Sequence, residues 1–242
     1  MLKRPLPTSE TIQGRQSRLA TLRLTQPSPS HRIHGLEIGN SKTGSSGSKA
    51  ATILLWNLPA VATCPGASEW CLSHCYNGDD RPTVYRTPLW QGNWYDYLNR
   101  RPELHSLILE QIRAAAPPVA VRIHSSGDFF SSDYIKFWFD ICSPLSSTMF
   151  WAYTRSWTIP ELKPHLEKLR ELNNVQLFAS HDATMPVPPD GWRVSKVCTQ
   201  DEAAGLALLC PEQSGSAQNC ASCGYCFRNI NNRFKDVIFY EH

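Results

Sequence analysis

The chain has 242 residues, 41% of them hydrophobic and 19% charged, which suits one α/β domain, or one domain with small appendages, built on a real core. No apolar run approaches the length of a membrane span, and no apolar stretch follows Lys3 and Arg4, so neither a transmembrane helix nor a secretory signal is expected. The net charge of +3 is uneven: residues 1–50 hold eight Lys/Arg and two Glu, whereas the rest hold 16 Lys/Arg and 19 Asp/Glu.

Residues 1–34 read as a flexible basic arm, rich in Ser, Thr, Pro and Arg and poor in large apolar side chains. Gly44–Lys49 (GSSGSK) reads as a linker. The arm is a candidate surface for nucleic acid, through a sequence-independent basic contact. Its acid-poor profile also resembles an organelle transit peptide, but a solvated tail in a cytoplasmic protein is the simpler reading. Gly35–Thr43 (GLEIGNSKT) lacks the Gly-Lys spacing of a phosphate-binding loop and is rejected as one.

From residue 51 apolar runs alternate with helical patterns. Strands are predicted at Thr52–Leu58, Val119–His124, Met149–Thr154, Val175–Ala179, Arg193–Val197 and Val237–Tyr240. Helices are predicted at Glu103–Ala115, with Leu104, Leu107, Ile108 and Ile112 on one face, at Asp133–Cys142 after Ser131 and Ser132, and at Pro160–Leu172. The alternation predicts a parallel sheet of βα units over residues 35–197, with a Cys-rich metal-binding segment over 198–242. Function in such folds gathers at the C-terminal ends of the strands. Cysteines, Ser125–Asp128, Arg155, and Ser180 to Asp182 all fall there.

Nine cysteines without an export signal point to metal or catalysis rather than disulfides. Cys64, Cys71 and Cys75 are spaced C-x6-C-x3-C: the last two share a helical face, and Pro65-Gly66 bends the loop that returns Cys64 to them. Three thiolates can hold three irons of a cubane and leave the fourth open, and a zinc with three protein ligands and a water follows the same logic. His74 is an awkward fourth ligand between two cysteines. Cys220, Cys223 and Cys226 form a serial C-x2-C-x2-C run, with Cys210 as fourth ligand or Cys198 in its place. A [4Fe-4S] cluster is preferred there, and zinc on four thiolates is the alternative. Cys142 reads as core. Trp90, Trp94, Tyr95 and Tyr97 beside Arg100 and Arg101 read as core or as a shielding wall, with base stacking as the lesser reading.

The series SKTG at Ser41–Gly44, CPGASEWCLSHCY, RIHSSGDFFS, FWAYTRSW and the terminal cysteine run before VIFYEH resembles the phage gene-product-88-like proteins over residues 35–242. The architecture is similar to that of radical S-adenosylmethionine (SAM) enzymes, a partial (βα) barrel with a three-cysteine loop after the first strand. Those enzymes usually carry C-x3-C-x2-C, from which this chain departs. The resemblance implies a cluster on Cys64, Cys71 and Cys75, with Ser125, Ser126, Gly127 and Asp128 where a loop meets the SAM amino group. It further implies Arg155 on the SAM carboxylate and Ser180 on the ribose. An auxiliary cluster, an electron-donor protein and an unknown substrate complete that expectation. The alternative is a non-enzymatic zinc or iron–sulfur protein that binds a partner or nucleic acid.

Overall fold

The structure is a computed structural model that describes residues 32–44, 50–75, 77, 87–199, 208–228 and 236–240. The predicted basic arm, up to residue 31, and the linker at 45–49 lie outside the described residues. Eight strands form one sheet: β1 (Glu37–Ile38), β2 (Thr52–Trp56), β3 (Val119–Ile123), β4 (Met149–Thr154), β5 (Val175–His181), β6 (Arg193–Cys198), β7 (Leu208–Leu209) and β8 (Val237–Tyr240). Their spatial order is β1-β2-β3-β4-β5-β6-β8-β7. β1 is antiparallel to β2, and every other pairing is parallel. The parallel sheet of βα units is therefore observed. A barrel is not: among the described residues the sheet runs from β1 to β7 without closing.

The helices are α1 (Glu69–Ser73), α2 (Thr87–Asn99), α3 (Arg101–Ala114), α4 (Ser132–Cys142), α5 (Lys163–Arg170) and α6 (Cys220–Cys223). α3 has Pro in its first turn and buries Leu104, Ile108 and Ile112, the stripe expected at a period of 3.6 residues. α4 begins where the Ser131 side chain accepts from Tyr134 N at 3.2 Å. α2 was not predicted as a helix, although Trp90, Trp94 and Tyr97 stand four and three residues apart; all three are buried, so they offer no stacking platform for bases.

Alternation along the strands sends successive side chains to opposite faces. On one face Leu54, Trp56, Val121, Ile123, Phe150, Ala152, Leu177 and Ala179 meet Leu104 and Ile108 of α3, Trp138 of α4 and Leu166 of α5. Trp56 and Trp138 pack edge to face, with centroids 6.0 Å apart. Each fully buried large side chain here contributes about 1.5–3 kcal/mol. Cys142 belongs to this core, as expected.

The opposite face is covered by the C-terminal cysteine segment. Ile53, Leu55, Ala120 and Trp151 pack with Ala221 and Phe227, while Phe178 and Val237 pack with Cys210. The conformation of this segment comes from caps. Asn219 and Ser222 form a reciprocal capping box, and Gly224 closes α6 at φ +71°, a left-handed value that favours glycine. The Ser41–Gly44 segment clasps it: Cys220 N donates to Lys42 O and Ala221 N to Thr43 O, each at 3.0 Å.

Candidate functional site

A cavity of about 630 Å³ lies between this second face, the C-terminal ends of the strands and the two cysteine segments. All seven cysteines of both motifs line it: Cys64, Cys71 and Cys75 from one side, Cys210, Cys220, Cys223 and Cys226 from the other. Strand alternation supplies the floor, with Leu55, Arg122, Trp151, Tyr153, Ser180, Ser195, Val197 and Phe239 all facing in. Cys198 is buried but does not line the cavity, so Cys210 is the cysteine placed with the C-terminal run.

The three-cysteine loop is anchored by a buried polar cluster. Ser68 caps α1, its hydroxyl accepting from Cys71 N at 3.0 Å, and donates to Asp182 Oδ2 at 2.6 Å. Arg155 Nη1 also donates to Asp182 Oδ2, and the pair is almost wholly buried. Burial works against the charge on Asp182, but hydrogen bonds from Ser68 and Thr184 and the Arg155 charge hold its carboxyl below the usual range. Gly66 lies against the end of β4: a Cβ there would sit 2.2 Å from Arg155 O. These contacts fix the loop from strand ends β4 and β5.

Asp128 lines the cavity, yet its carboxylate is already engaged. Oδ1 accepts from Thr154 Oγ1 at 2.6 Å and Phe129 N at 2.7 Å, and Oδ2 from Arg155 N at 2.8 Å. Burial nonetheless raises its pKa above the ordinary value. Ser125 N and Ser126 N donate to Asn57 Oδ1 at 2.8 and 3.0 Å, and Gly127 adopts φ +84°, where a Cβ would lie 2.7 Å from both Leu58 Cβ and Thr63 Oγ1. Asn57, unforeseen from sequence, stood out only as an amide inside the apolar run TILLWNL; it knits the loops after β2 and β3 together. Ser125, Ser126, Gly127, Asp128, Arg155 and Ser180 all line the one cavity, while His181 and Asp182 do not.

Burial, then the charges of Asp128 and Cys71, push the Cys64 thiol well above its ordinary pKa, and burial raises Cys71 against the pull of Arg155. In the second group burial pushes Cys220 up to about 11 and Cys226 up to about 12. After burial, neighbouring thiolates add to the rise at Cys64, Cys71, Cys220, Cys223 and Cys226. Among the described residues, however, no three His, Cys, Asp or Glu side chains are gathered so as to hold a metal ion. A tetrahedral zinc draws every thiolate to about 2.3 Å from one point.

His124 is the other unusual residue. It has φ +69°, is 3% exposed and lines the cavity. Its Nε2 is 2.7 Å from Tyr134 Oη, which in turn accepts from Trp56 Nε1 at 2.7 Å. Burial, with Arg122 adding to it, pulls its pKa to about 3. A left-handed backbone at a residue with a Cβ costs about 1–2 kcal/mol.

The gene product 88 family model matches residues 34–238, most of the chain. The chain belongs to the gene product 88 family. Among its relatives is the Gene 88 protein of Mycobacterium phage D29, 28% identical over 214 aligned residues that cover 73% of this chain and 81% of the phage protein. The Gene 88 protein of Mycobacterium phage L5 is 26% identical over 211 residues, with the same coverage. No solved structure gives a significant match. Among the described residues no helix is long and apolar enough to cross a membrane. Family membership carries the relationship to phage proteins; neither radical-SAM chemistry nor iron–sulfur binding follows from it.

Proposed function

We propose that this chain is an iron–sulfur enzyme of radical-SAM-like type, with two clusters in its cavity. The observation that carries the reading is that seven cysteines from two distant motifs open onto one cavity at the C-terminal ends of a parallel sheet. Cys64, Cys71 and Cys75 would hold the first cluster, and Cys210, Cys220, Cys223 and Cys226 the auxiliary one. Three ligands would leave one iron open, and the chemistry that such a cluster would supply is one-electron reduction of a bound SAM.

The chain's own residues position the ligand and exclude water. Ser68, Arg155 and Asp182 hold the cysteine loop against the strand ends. Ser125, Ser126, Gly127 and Asp128 would face the SAM amino group, and Ser180 the ribose. Arg155, already paired with Asp182, would meet the SAM carboxylate with its remaining donors. Trp70 and Trp90 wall the cavity beside the first cysteine group. An electron-donor protein is required to reduce such a cluster, and the basic arm is the candidate surface for nucleic acid. The test is anaerobic reduction with SAM, reading 5′-deoxyadenosine and methionine. Release of both by the native protein and not by Cys71→Ala supports the reading. Absence of both from protein that contains iron and sulfide leaves an electron-transfer or structural role.

A zinc protein without catalysis is the second reading, favoured only by the full complement of four cysteines in the C-terminal group.

A further inference from the structure

Every parallel crossing from β2 to β5 carries a helix, but β5 and β6 are joined by residues 182–192 without one. The connection contains Met185, Pro186, Val187, Pro188 and Pro189 in series. Proline fixes φ near −65° and pushes the residue before it out of the helical region, so Met185 to Pro189 are restricted to extended backbone of the polyproline-II kind. Pro186 to Pro189 accordingly form neither helix nor strand. Val187 alone of these four has an N–H, so the stretch cannot join the sheet as another strand.

Two turns hold this stretch, and each rests on a buried side chain. Upstream, Met185 N donates to Asp182 O at 3.1 Å, and Asp182 Oδ1 accepts from Thr184 N at 3.0 Å and Thr184 Oγ1 at 2.6 Å. Asp182 is buried against Arg155, whose Nη1 also donates to Met185 Sδ. Downstream, Trp192 N donates to Pro189 O at 3.3 Å, with Gly191 at φ +76° where a type II turn calls for glycine. Trp192 belongs to the helix-face core, and its Nε1 donates to Glu167 Oε1 at 2.6 Å. Between these anchors Pro186 and Val187 are exposed. Val187, at 87%, is the most exposed large hydrophobic side chain among the described residues. A single exposed valine means little by itself. On a proline-stiffened strip fixed at both ends it offers apolar surface whose backbone loses little conformational entropy on binding.

We propose that Pro186–Pro189 is a docking segment for a partner protein, read by an aromatic-lined groove of the SH3 type. Pro186 and Pro189 stand at the P-x-x-P spacing that such grooves accept, and Val187 supplies apolar contact between them. With one N–H in four residues, the strip strands few polar groups when a partner covers it. A partner seated there lies beside the three-cysteine loop, because Met185 and Asp182 both touch Arg155 and Asp182 accepts from Ser68 of that loop. No cysteine takes part, so docking and metal content are measured separately.

The probe is a panel of purified SH3 domains, each labelled with ¹⁵N and titrated with the unlabelled full-length protein. At least one domain should bind saturably, with shifts at the aromatic residues of its groove. Val187→Asp, and Pro186→Ala combined with Pro189→Ala, should each weaken that binding by about tenfold. Val187 is almost wholly exposed, so Val187→Asp should keep the native urea midpoint and metal content. No saturable binding by any domain of the panel, shifts confined to residues outside the groove, or binding unchanged in both variants overturns the proposal. Self-association of the native protein that Val187→Asp abolishes, without binding to any domain, also overturns it and gives the segment to a second copy of the chain.

Discussion

The two faces of the sheet are built on different principles. One is sealed by α2 to α5 and holds a continuous aliphatic and aromatic core, from Trp56 and Trp138 to Leu166 and Leu177. The other is covered by residues 210–228, in which the longest regular element is the four-residue α6. The first face carries the stability of the fold by area. The second is held by caps, a clasp from Ser41–Gly44 and a few large side chains, and it encloses the cavity and every motif cysteine. A layer with so little apolar area of its own is where a bound group contributes folding energy. The fold and the candidate chemistry thus occupy opposite sides of one sheet, and substitutions should separate them.

The largest effect belongs to the helix face. Trp138→Ala should cost about 3–5 kcal/mol in urea unfolding, because it leaves a cavity beside Trp56 in a sealed core. A loss under about 1 kcal/mol would break the contrast between the faces.

Asp182→Ala should follow at about 3 kcal/mol, since it strands the buried Arg155 guanidinium and frees Ser68 from its acceptor. Its signature is local: protease cleavage in the Cys64–Cys75 loop should rise, while the C-terminal segment stays protected.

Gly66→Ala should cost about 1–3 kcal/mol, because its Cβ meets the Arg155 carbonyl and must push the loop away. It should lower metal bound by the first cysteine group and spare the second. Equal loss at both groups would show that the two sites are one unit.

Acid should act through His124, with its effect spread over several pH units rather than felt at once. The folded protein keeps this ring neutral down to about pH 3, whereas the unfolded chain protonates it near 6.5. Its contribution is therefore complete above pH 6.5 and is lost as pH falls toward 3, by at most about 1.4 kcal/mol for each unit. His124→Phe should flatten that part of a stability-against-pH curve, and an unchanged slope would remove His124 as its origin.

The regular frame was legible in the sequence because burial on both faces leaves near-continuous apolar runs. Met149–Thr154 and Val237–Tyr240 match their predicted bounds, and the other four predicted strands differ by one or two residues at an end. β1 and β7 were missed, two-residue strands with no room for a period. α2 was missed because its buried Trp90, Trp94 and Tyr97 were read as a cluster of aromatics rather than as a helical face. Cys64, Cys71, Cys75 and the C-terminal run were visible as spacing. That they share a cavity was not, since it depends on the terminal segment folding back over β2 to β5. The grip of Ser41–Gly44 on α6 was equally hidden, being made of backbone hydrogen bonds that leave no trace in side-chain chemistry.

The central claim is that the face covered by the cysteine segment holds two iron–sulfur clusters. Iron and acid-labile sulfide should be counted in native protein purified without oxygen, and in Cys71→Ala and Cys223→Ala. The account predicts about two cubanes per chain in the native protein, with each variant losing one group's share. Colourless native protein that carries stoichiometric zinc, or neither metal nor sulfide, would contradict it.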